Sequence, residues 1–420
     1  MNNQDVDCGC DQVTQPLLST AEALSFLTDA AQVTTRHTEV PLEQALGAVL
    51  AEDIHSSINV PGFDNSAMDG YAIHLKPEQI NTPGGLSFEV TDRIAAGHQG
   101  QALAPGCAAR IFTGAPVPEG ANTVMMQEEC ELLEDNQIEI YRPISLGENI
   151  RPLGNDIQAG EVILQAGVKL KPQHIALAAS VGVDHLTVFN PIKVGVFFTG
   201  DELVEPGNPL QAGQIYNSNR YSLVAMLDTL GCEIINLGNI EDTLGATVEA
   251  LKQLQDQCDL IMTTGGVSVG EEDHVKPAVE QLGELNLWRI KMKPGKPLAF
   301  GKVGQTAFIG LPGNPVSAMV TFLLFARPFI KKAQGNRQYL NVPFQVKTGF
   351  DWRRPKPRRE FVRVQLDTSD AVPVARQYPK QGSDVLSSMV WADGLVEIPE
   401  QSQFEAGELL NFYLLDEMLS

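Results

Sequence analysis

Apolar positions recur at helical spacing through residues 17–54, at Leu24, Phe26, Leu27, Val40, Leu42, Ala45, Leu46, Val49 and Leu50. That period predicts helix, and Pro41 splits it into two. A polar loop, Val60 to Ala72, follows. Up to about residue 150 the apolar runs shorten, as in Phe88-Glu89-Val90, Ala109 to Phe112, Thr123 to Met126 and Ile138 to Tyr141, with Gly and Pro turns between them. Short runs between turn residues predict a small β domain. Helical spacing returns around Pro172 to Val181. The expectation is a helical linking domain built from residues 17–59 and 150–190, its helices packed together, with a β domain inserted at 60–149.

Residues 191–335 alternate. Strands are predicted at Ile192 to Thr199, Glu233 to Leu237, Asp259 to Thr263 and Thr306 to Leu311. Helices are predicted at Ser218 to Leu230, Gly245 to Gln257 and Pro315 to Ala333. Alternation of this kind implies a doubly wound α/β domain with a mostly parallel sheet, whose ligands bind beyond the carboxyl ends of the strands. Residues 341–420 carry only short β-like runs and are read as a C-terminal β-barrel domain. The fold class is thus a multidomain α/β plus β protein.

Length and composition agree. A chain of 420 residues with 43% hydrophobic and 20% charged residues suits two to four globular domains. A net charge of −22 excludes nucleic acid as the main partner, because a phosphate backbone needs a basic footprint. Small anions remain open, since local cations dominate at short range. No apolar run approaches the roughly 18 residues of a membrane span. Met1 to Gln15 is polar and acidic, so the expected compartment is the cytoplasm. Cys8 and Cys10, in a polar tail, receive no role.

The candidate chemistry lies after the α/β strands. Thr263 to Asp273 runs from a strand through Gly265, Gly266, Ser268 and Gly270 towards a helix. Glycines let backbone N–H groups approach a phosphate, and a helix start adds positive potential. Its acidic end, Glu271-Glu272-Asp273, together with Glu202 in Thr199-Gly200-Asp201-Glu202 and Asp242 in Gly238 to Asp242, would crowd carboxylates at one sheet edge, a conflict that a divalent cation resolves. In Leu311 to Ser317, Asn314 is placed to cap a helix and Pro315 to occupy its first turn. Lys291, Lys293 and Lys296 offer counter-charge to an anion, or a solvated face. Arg353 to Arg359, the most basic segment, reads as a solvated arm or one flank of an anion site. Asp64 and Asp69 sit in a loop that lines a cleft or simply turns.

Together these residues resemble the molybdopterin molybdenumtransferases, the MoeA and gephyrin E-domain family, from about residue 17 to 415. The resemblance rests on motifs in order: residues 61–72, Thr113 to Pro118, Asn149 to Ile157, Thr199 to Leu203, the glycine loop, Lys293 to Pro297 and Leu311 to Ser317. It implies insertion of molybdate into adenylylated molybdopterin, with anhydride hydrolysis, AMP release and Mg²⁺ as the cation. Glu202 and Asp242 are then active-site carboxylates, with Asp273 a third metal-side carboxylate, and Lys293 and Asp69 join the catalytic group. Thr199, Gly265, Gly266, Ser268, Gly270 and Arg289 are implied to contact the substrate, and Pro312 and Pro315 to shape a molybdate loop. Thr113, Arg151 and Asp156 match inserted-domain positions. With Asp69, they are implied to complete the site across a homodimer interface. Arg363 and Ser383 match C-terminal positions facing molybdate. A molybdopterin adenylyltransferase is an implied partner. Two alternative functions are that adenylyltransferase activity itself, which needs only the middle third of the chain, and a gephyrin-like scaffold, which carries an additional domain.

Overall fold

The computed structural model describes residues 17–82, 85–266, 273–369 and 371–419; Cys8 and Cys10 lie outside them. The chain forms two compact units. One runs from Glu39 to Val188, and the other joins residues up to Thr38 to the chain from Phe189 onward.

In the Glu39–Val188 unit, Gly70–Ile73, Leu86–Ile94, Cys107–Ile111, Thr123–Met126, Cys130–Leu132 and Gln137–Ile140 build a mixed six-stranded sheet. Alternate residues face opposite sides. Ile73, Phe88 and Met125 enter one apolar cluster, while Ala72, Ile111 and Val124 enter another.

The expected second helix, over residues 40–50, does not form. His37–Pro41 is a strand, Leu42–Gln44 a single 3₁₀ turn, and Gly47 adopts φ +81°. Beyond it, Leu50 N donates to Val168 O (3.0 Å) and Leu170 N to Ala48 O (2.8 Å), so this segment pairs as extended chain. Its apolar residues Leu42, Ala45 and Leu50 pack with Leu164, Leu170 and Val188 instead of lining a helix face. A short apolar series that fits helical spacing also fits a turn and a ladder, and here backbone pairing wins.

The two flanking helices fall in different compact units. Pro172–Ser180 belongs to the Glu39–Val188 unit, whereas Thr20–Ala30 belongs to the other. Ser19 caps the latter: its hydroxyl accepts from Glu22 N (3.2 Å) and its own N–H donates to Glu22 Oε2 (2.8 Å). The helix then buries Leu27 against the α/β core and sets Phe26 edge-on to Trp288, ring centres 4.5 Å apart.

The α/β sheet has the strand order Glu233–Asn239, Lys193–Phe198, Leu260–Thr264, Thr306–Leu311, Pro297–Val303, Gly283–Arg289. The first three pairings are parallel and the last two antiparallel, so the sheet is mixed. Helices cover both faces. Phe198 points into the cluster containing Leu223, Val316 and Phe329, and its neighbour Phe197 into the cluster with Leu251, Leu254 and Val279. From Pro315 to Ala333 the chain is helical throughout but opens into a π turn at Phe322–Ala326. Pro328 has no N–H for the Leu324 carbonyl, which accounts for the widened turn just before it.

The C-terminal strands Phe344–Thr348, Arg359–Asp367, Val374–Gln377, Gly394–Ile398 and Leu409–Leu414 close into a five-stranded barrel, because Arg359–Asp367 pairs with both Val374–Gln377 and Gly394–Ile398. Val362 and Val364 face the barrel core, while Phe361 packs into the α/β cluster. Two short helices, Ser387–Trp391 and Leu415–Met418, accompany the strands. Among the described residues no helix is long and apolar enough to cross a membrane.

Candidate active site

Strand Lys193–Phe198 lies between Glu233–Asn239 and Leu260–Thr264, so the connections leaving it and its neighbour diverge. That switch point in an open α/β sheet forms a crevice beyond the carboxyl ends of the strands. Here the crevice encloses about 580 Å³. Each parallel strand delivers one part of its lining. Thr199, Gly200 and Glu202 come from the first, Asp242 from the second, Gly265 and Gly266 with Asp273 from the third, and Gly313 with Pro315 from the fourth.

Several bonds hold these parts in place. Thr199 is buried and donates its hydroxyl to Asp242 Oδ1 at 2.7 Å, fixing one face of that carboxylate. Gly200 has φ +147°, and a Cβ there would meet Glu202 Oε2 at 2.7 Å, so glycine lets the carboxylate fold back over the turn. Gly266 has φ +63°, and a Cβ would approach Val275 Cγ2 to 2.5 Å. Gly265 N donates to Leu311 O (3.0 Å), joining the third and fourth strand ends.

The pattern of side-chain bonds at Asn314 differs from the expected cap. Its Nδ2 donates to Ser383 Oγ at 3.1 Å, and Val316 N donates to Ser383 O at 3.0 Å. A turn from the barrel region therefore satisfies the start of this helix, and the same turn brings Asp384 into the crevice wall. Glu202, Asp242 and Asp273 all line the crevice, yet among the described residues no three Asp, Glu, His or Cys side chains converge closely enough to hold a metal unaided.

Three regions match family descriptions: residues 18–182 match the MoeA N-terminal region (domain I and II), 195–332 a probable molybdopterin binding domain, and 345–415 the MoeA C-terminal region (domain IV). The chain belongs to the MoeA family. It is 39% identical over 408 residues, 96% of this chain and 100% of the relative, to a molybdopterin molybdenumtransferase of Haemophilus influenzae. It is 32% identical to one from Bacillus subtilis, covering 90% of each. The solved structure of the molybdopterin biosynthesis moeA protein from Pyrococcus horikoshii OT3 superposes with a TM-score of 0.82 at 30% identity, over 95% of this chain and all of that one.

Not every residue expected from the MoeA motifs reaches the crevice. Ser268 and Gly270 lie outside the described residues. Pro312 is buried and is not among the residues that line the crevice. Lys293 is exposed, in register with Glu360, and Arg289 closes the edge strand opposite Pro297; neither lines the crevice. The lysine loop nevertheless rests on the helix that starts at Pro315, since a Cβ on Gly295 would lie 2.3 Å from Thr321 Oγ1.

Arg363 is only 1% exposed. Its Nε donates to Ser388 Oγ (3.0 Å) and its Nη2 to Gly382 O (2.8 Å). Burial pushes its pKa down to about 10, with Glu360 and Asp384 opposing the shift. It holds the turn carrying Ser383 and Asp384 and does not itself line the crevice.

In the Glu39–Val188 unit the three MoeA motifs come together. Asp69 Oδ1 accepts from Thr113 N (2.8 Å) and Thr113 Oγ1 (2.9 Å), and these bonds hold the Asp69 carboxyl below its usual range. Arg151 sits opposite Asn65 in a two-residue ladder, and Asp156 N donates to Val60 O (2.9 Å). Asp64 Oδ1 accepts from Leu153 N at 2.7 Å.

The crevice residues missed in the sequence include Asn217, Ser218, Asn219 and Asp384, with Ile215 and Tyr216 beside the first of them. Asn217 caps the Ser218–Thr229 helix by accepting from Arg220 N (3.0 Å), while its Nδ2 reaches Asn239 Oδ1 (2.6 Å). Asn219 Nδ2 donates to Gly313 O (2.7 Å). The polar triplet opening a predicted helix is a local signal that could have found the first three. For Asp384, placed by the barrel, the one signal is its position after Ser383 in the motif Gln381-Gly382-Ser383-Asp384.

Proposed function

We propose that this chain is a molybdopterin molybdenumtransferase, which takes adenylylated molybdopterin and molybdate, cleaves the phosphoanhydride and releases AMP with the molybdenum cofactor. The observation that carries the reading is the single crevice in which glycine turns adjoin Glu202, Asp242 and Asp273. Backbone N–H groups at such turns suit phosphate oxygens. Similarity over 96% of this chain to a molybdopterin molybdenumtransferase, reaching both the N-terminal and C-terminal regions, supports the same reading over a bare adenylyltransferase domain.

The hard oxygen donors of Glu202, Asp242 and Asp273, which line one crevice, would hold Mg²⁺ together with substrate phosphate oxygens. Bound there, the ion would supply charge neutralisation at the anhydride. In this reading Asp242, oriented by Thr199, accepts the proton of the attacking water. As the water oxygen bonds to phosphorus, the anhydride P–O bond breaks and AMP carries away the electron pair. Asn314 and Pro315 shape the wall nearest the proposed molybdate position, and the Arg363-held turn keeps Ser383 against them.

Asp69, Thr113, Arg151 and Asp156 serve, in this reading, the crevice of a second copy in a homodimer. Lys293 and Arg289 supply positive potential to the incoming anions. The chain works in the cytoplasm and receives its nucleotide substrate from a molybdopterin adenylyltransferase. The deciding experiment incubates purified protein with adenylylated molybdopterin, molybdate and Mg²⁺, and follows AMP and cofactor. AMP release that needs both molybdate and Mg²⁺ is expected; its absence under all conditions rejects the function.

A further inference from the structure

The crevice is walled mainly by carboxylates, amides and glycines. Among the described residues lining it, Tyr216 alone is aromatic. Its position follows from a short parallel pairing of Leu203 with Ile215 and Val204 with Tyr216, tied to the acidic turn by Ile215 N donating to Glu202 O at 2.8 Å.

The phenol proton is already used, because Tyr216 Oη donates to Asn208 O at 3.0 Å. Asn208 is itself fixed, its Nδ2 donating to Glu205 O at 3.3 Å. The Glu205 carboxylate accepts from Tyr221 Oη (2.9 Å) and pairs with Arg220 Nη1 (2.8 Å), both on the Ser218–Thr229 helix. The ring is thus braced through its hydroxyl, and what it offers a ligand is apolar ring surface. Yet Tyr216 stays 45% exposed and Ile215 beside it 54%. A braced, half-exposed aromatic at the mouth of a polar crevice gains most when a flat ring covers it.

We infer that Tyr216 is a stacking platform for a planar fused heterocycle. This rests on the transferase reading, under which the substrate carries two such rings, the adenine of its AMP half and the pterin. Stacking needs no hydrogen-bond readout, so either ring satisfies the chemistry.

The test titrates AMP, a free pterin and inorganic pyrophosphate, each with Mg²⁺, into the full-length wild type, Tyr216→Leu and Tyr216→Phe by calorimetry. Tyr216→Leu is expected to weaken one ring-bearing probe by roughly 5- to 150-fold, the range of a single base–aromatic stack, with pyrophosphate unchanged. Tyr216→Phe, which keeps the ring and loses only the Asn208 bond, is expected to retain most of the affinity. Loss confined to AMP assigns the platform to adenine, and loss confined to the pterin assigns it to that half. Equal binding of all probes by wild type and Tyr216→Leu overturns the platform and leaves the transferase reading standing. Parallel loss of pyrophosphate overturns it too, because a collapsed crevice would then explain the result. A wild type that binds neither ring-bearing probe overturns both readings.

Discussion

Thr199 Oγ1 and Asp242 Oδ1 lie 2.7 Å apart across the ends of two parallel strands, and the hydroxyl donates to the carboxylate. The bond leaves Asp242 oriented toward the crevice rather than free to rotate. Asp242→Ala is expected to abolish AMP release with the unfolding midpoint unchanged. Thr199→Val, which keeps shape and removes the donor, should lower kcat by about tenfold, the value of one charge-assisted bond. Retained turnover in Asp242→Ala, measured by AMP chromatography, rejects the assignment.

Gly266→Ala confronts both an unfavourable φ of +63° and the Val275 side chain. A destabilisation of ~1–3 kcal/mol is expected. Urea unfolding of the purified variant measures it, and wild-type stability would show that the turn relaxes freely.

Arg363 donates to Ser388 Oγ and Gly382 O from a buried position. Arg363→Met removes both bonds and leaves two acceptors under the turn that carries Ser383. It should cost ~2–4 kcal/mol, and Arg363→Lys should recover only part, lacking the guanidinium fork. The check is denaturant unfolding of both variants; equal stability of Met, Lys and Arg at this position contradicts the latch.

Stability at alkaline pH should depend on Cys232, whose thiol burial pushes up to about 12 from an ordinary 9.0. The native state therefore holds this proton more tightly than the unfolded chain does. Its contribution is full below pH 9 and is lost progressively as pH rises from about 9 to 12. Cys232→Ala should flatten that part of the curve. An unchanged slope in thermal melts across this window argues against the thiol as its source.

If the Asp69 group serves a second copy, mixing two inactive variants discriminates. Asp69→Ala and Asp242→Ala, unfolded and refolded together, should recover about a quarter of wild-type activity, since half the dimers are mixed and each mixed dimer holds one intact site. A site built within one chain gives no recovery.

The sequence reading and the structure agree most closely where the governing rules are short-ranged. The strand Thr306–Leu311 and the start of the helix at Pro315 lie where strand pattern, Pro-Gly turn and Pro at the first helical position placed them. The reading failed at residues 40–50, where the ladder to Val168 and Leu170 overrode an apolar spacing that two structures can satisfy. At Asn314 the N-cap position is as read, but the side chain bonds Ser383 rather than its own helix.

The sequence by itself determined which strand ends carry acid, glycine and threonine, because alternation and turn chemistry act within a few residues. It also carried the MoeA motifs in order. Only the tertiary structure decided that Thr199 faces Asp242, that Arg363 turns inward to hold the Ser383 turn, that Lys293 stays outside the crevice and that Asp384 enters it. Those outcomes depend on strand order, on barrel closure and on which face of each strand meets a core. They arise from packing between segments far apart in the chain, and no local pattern encodes that packing.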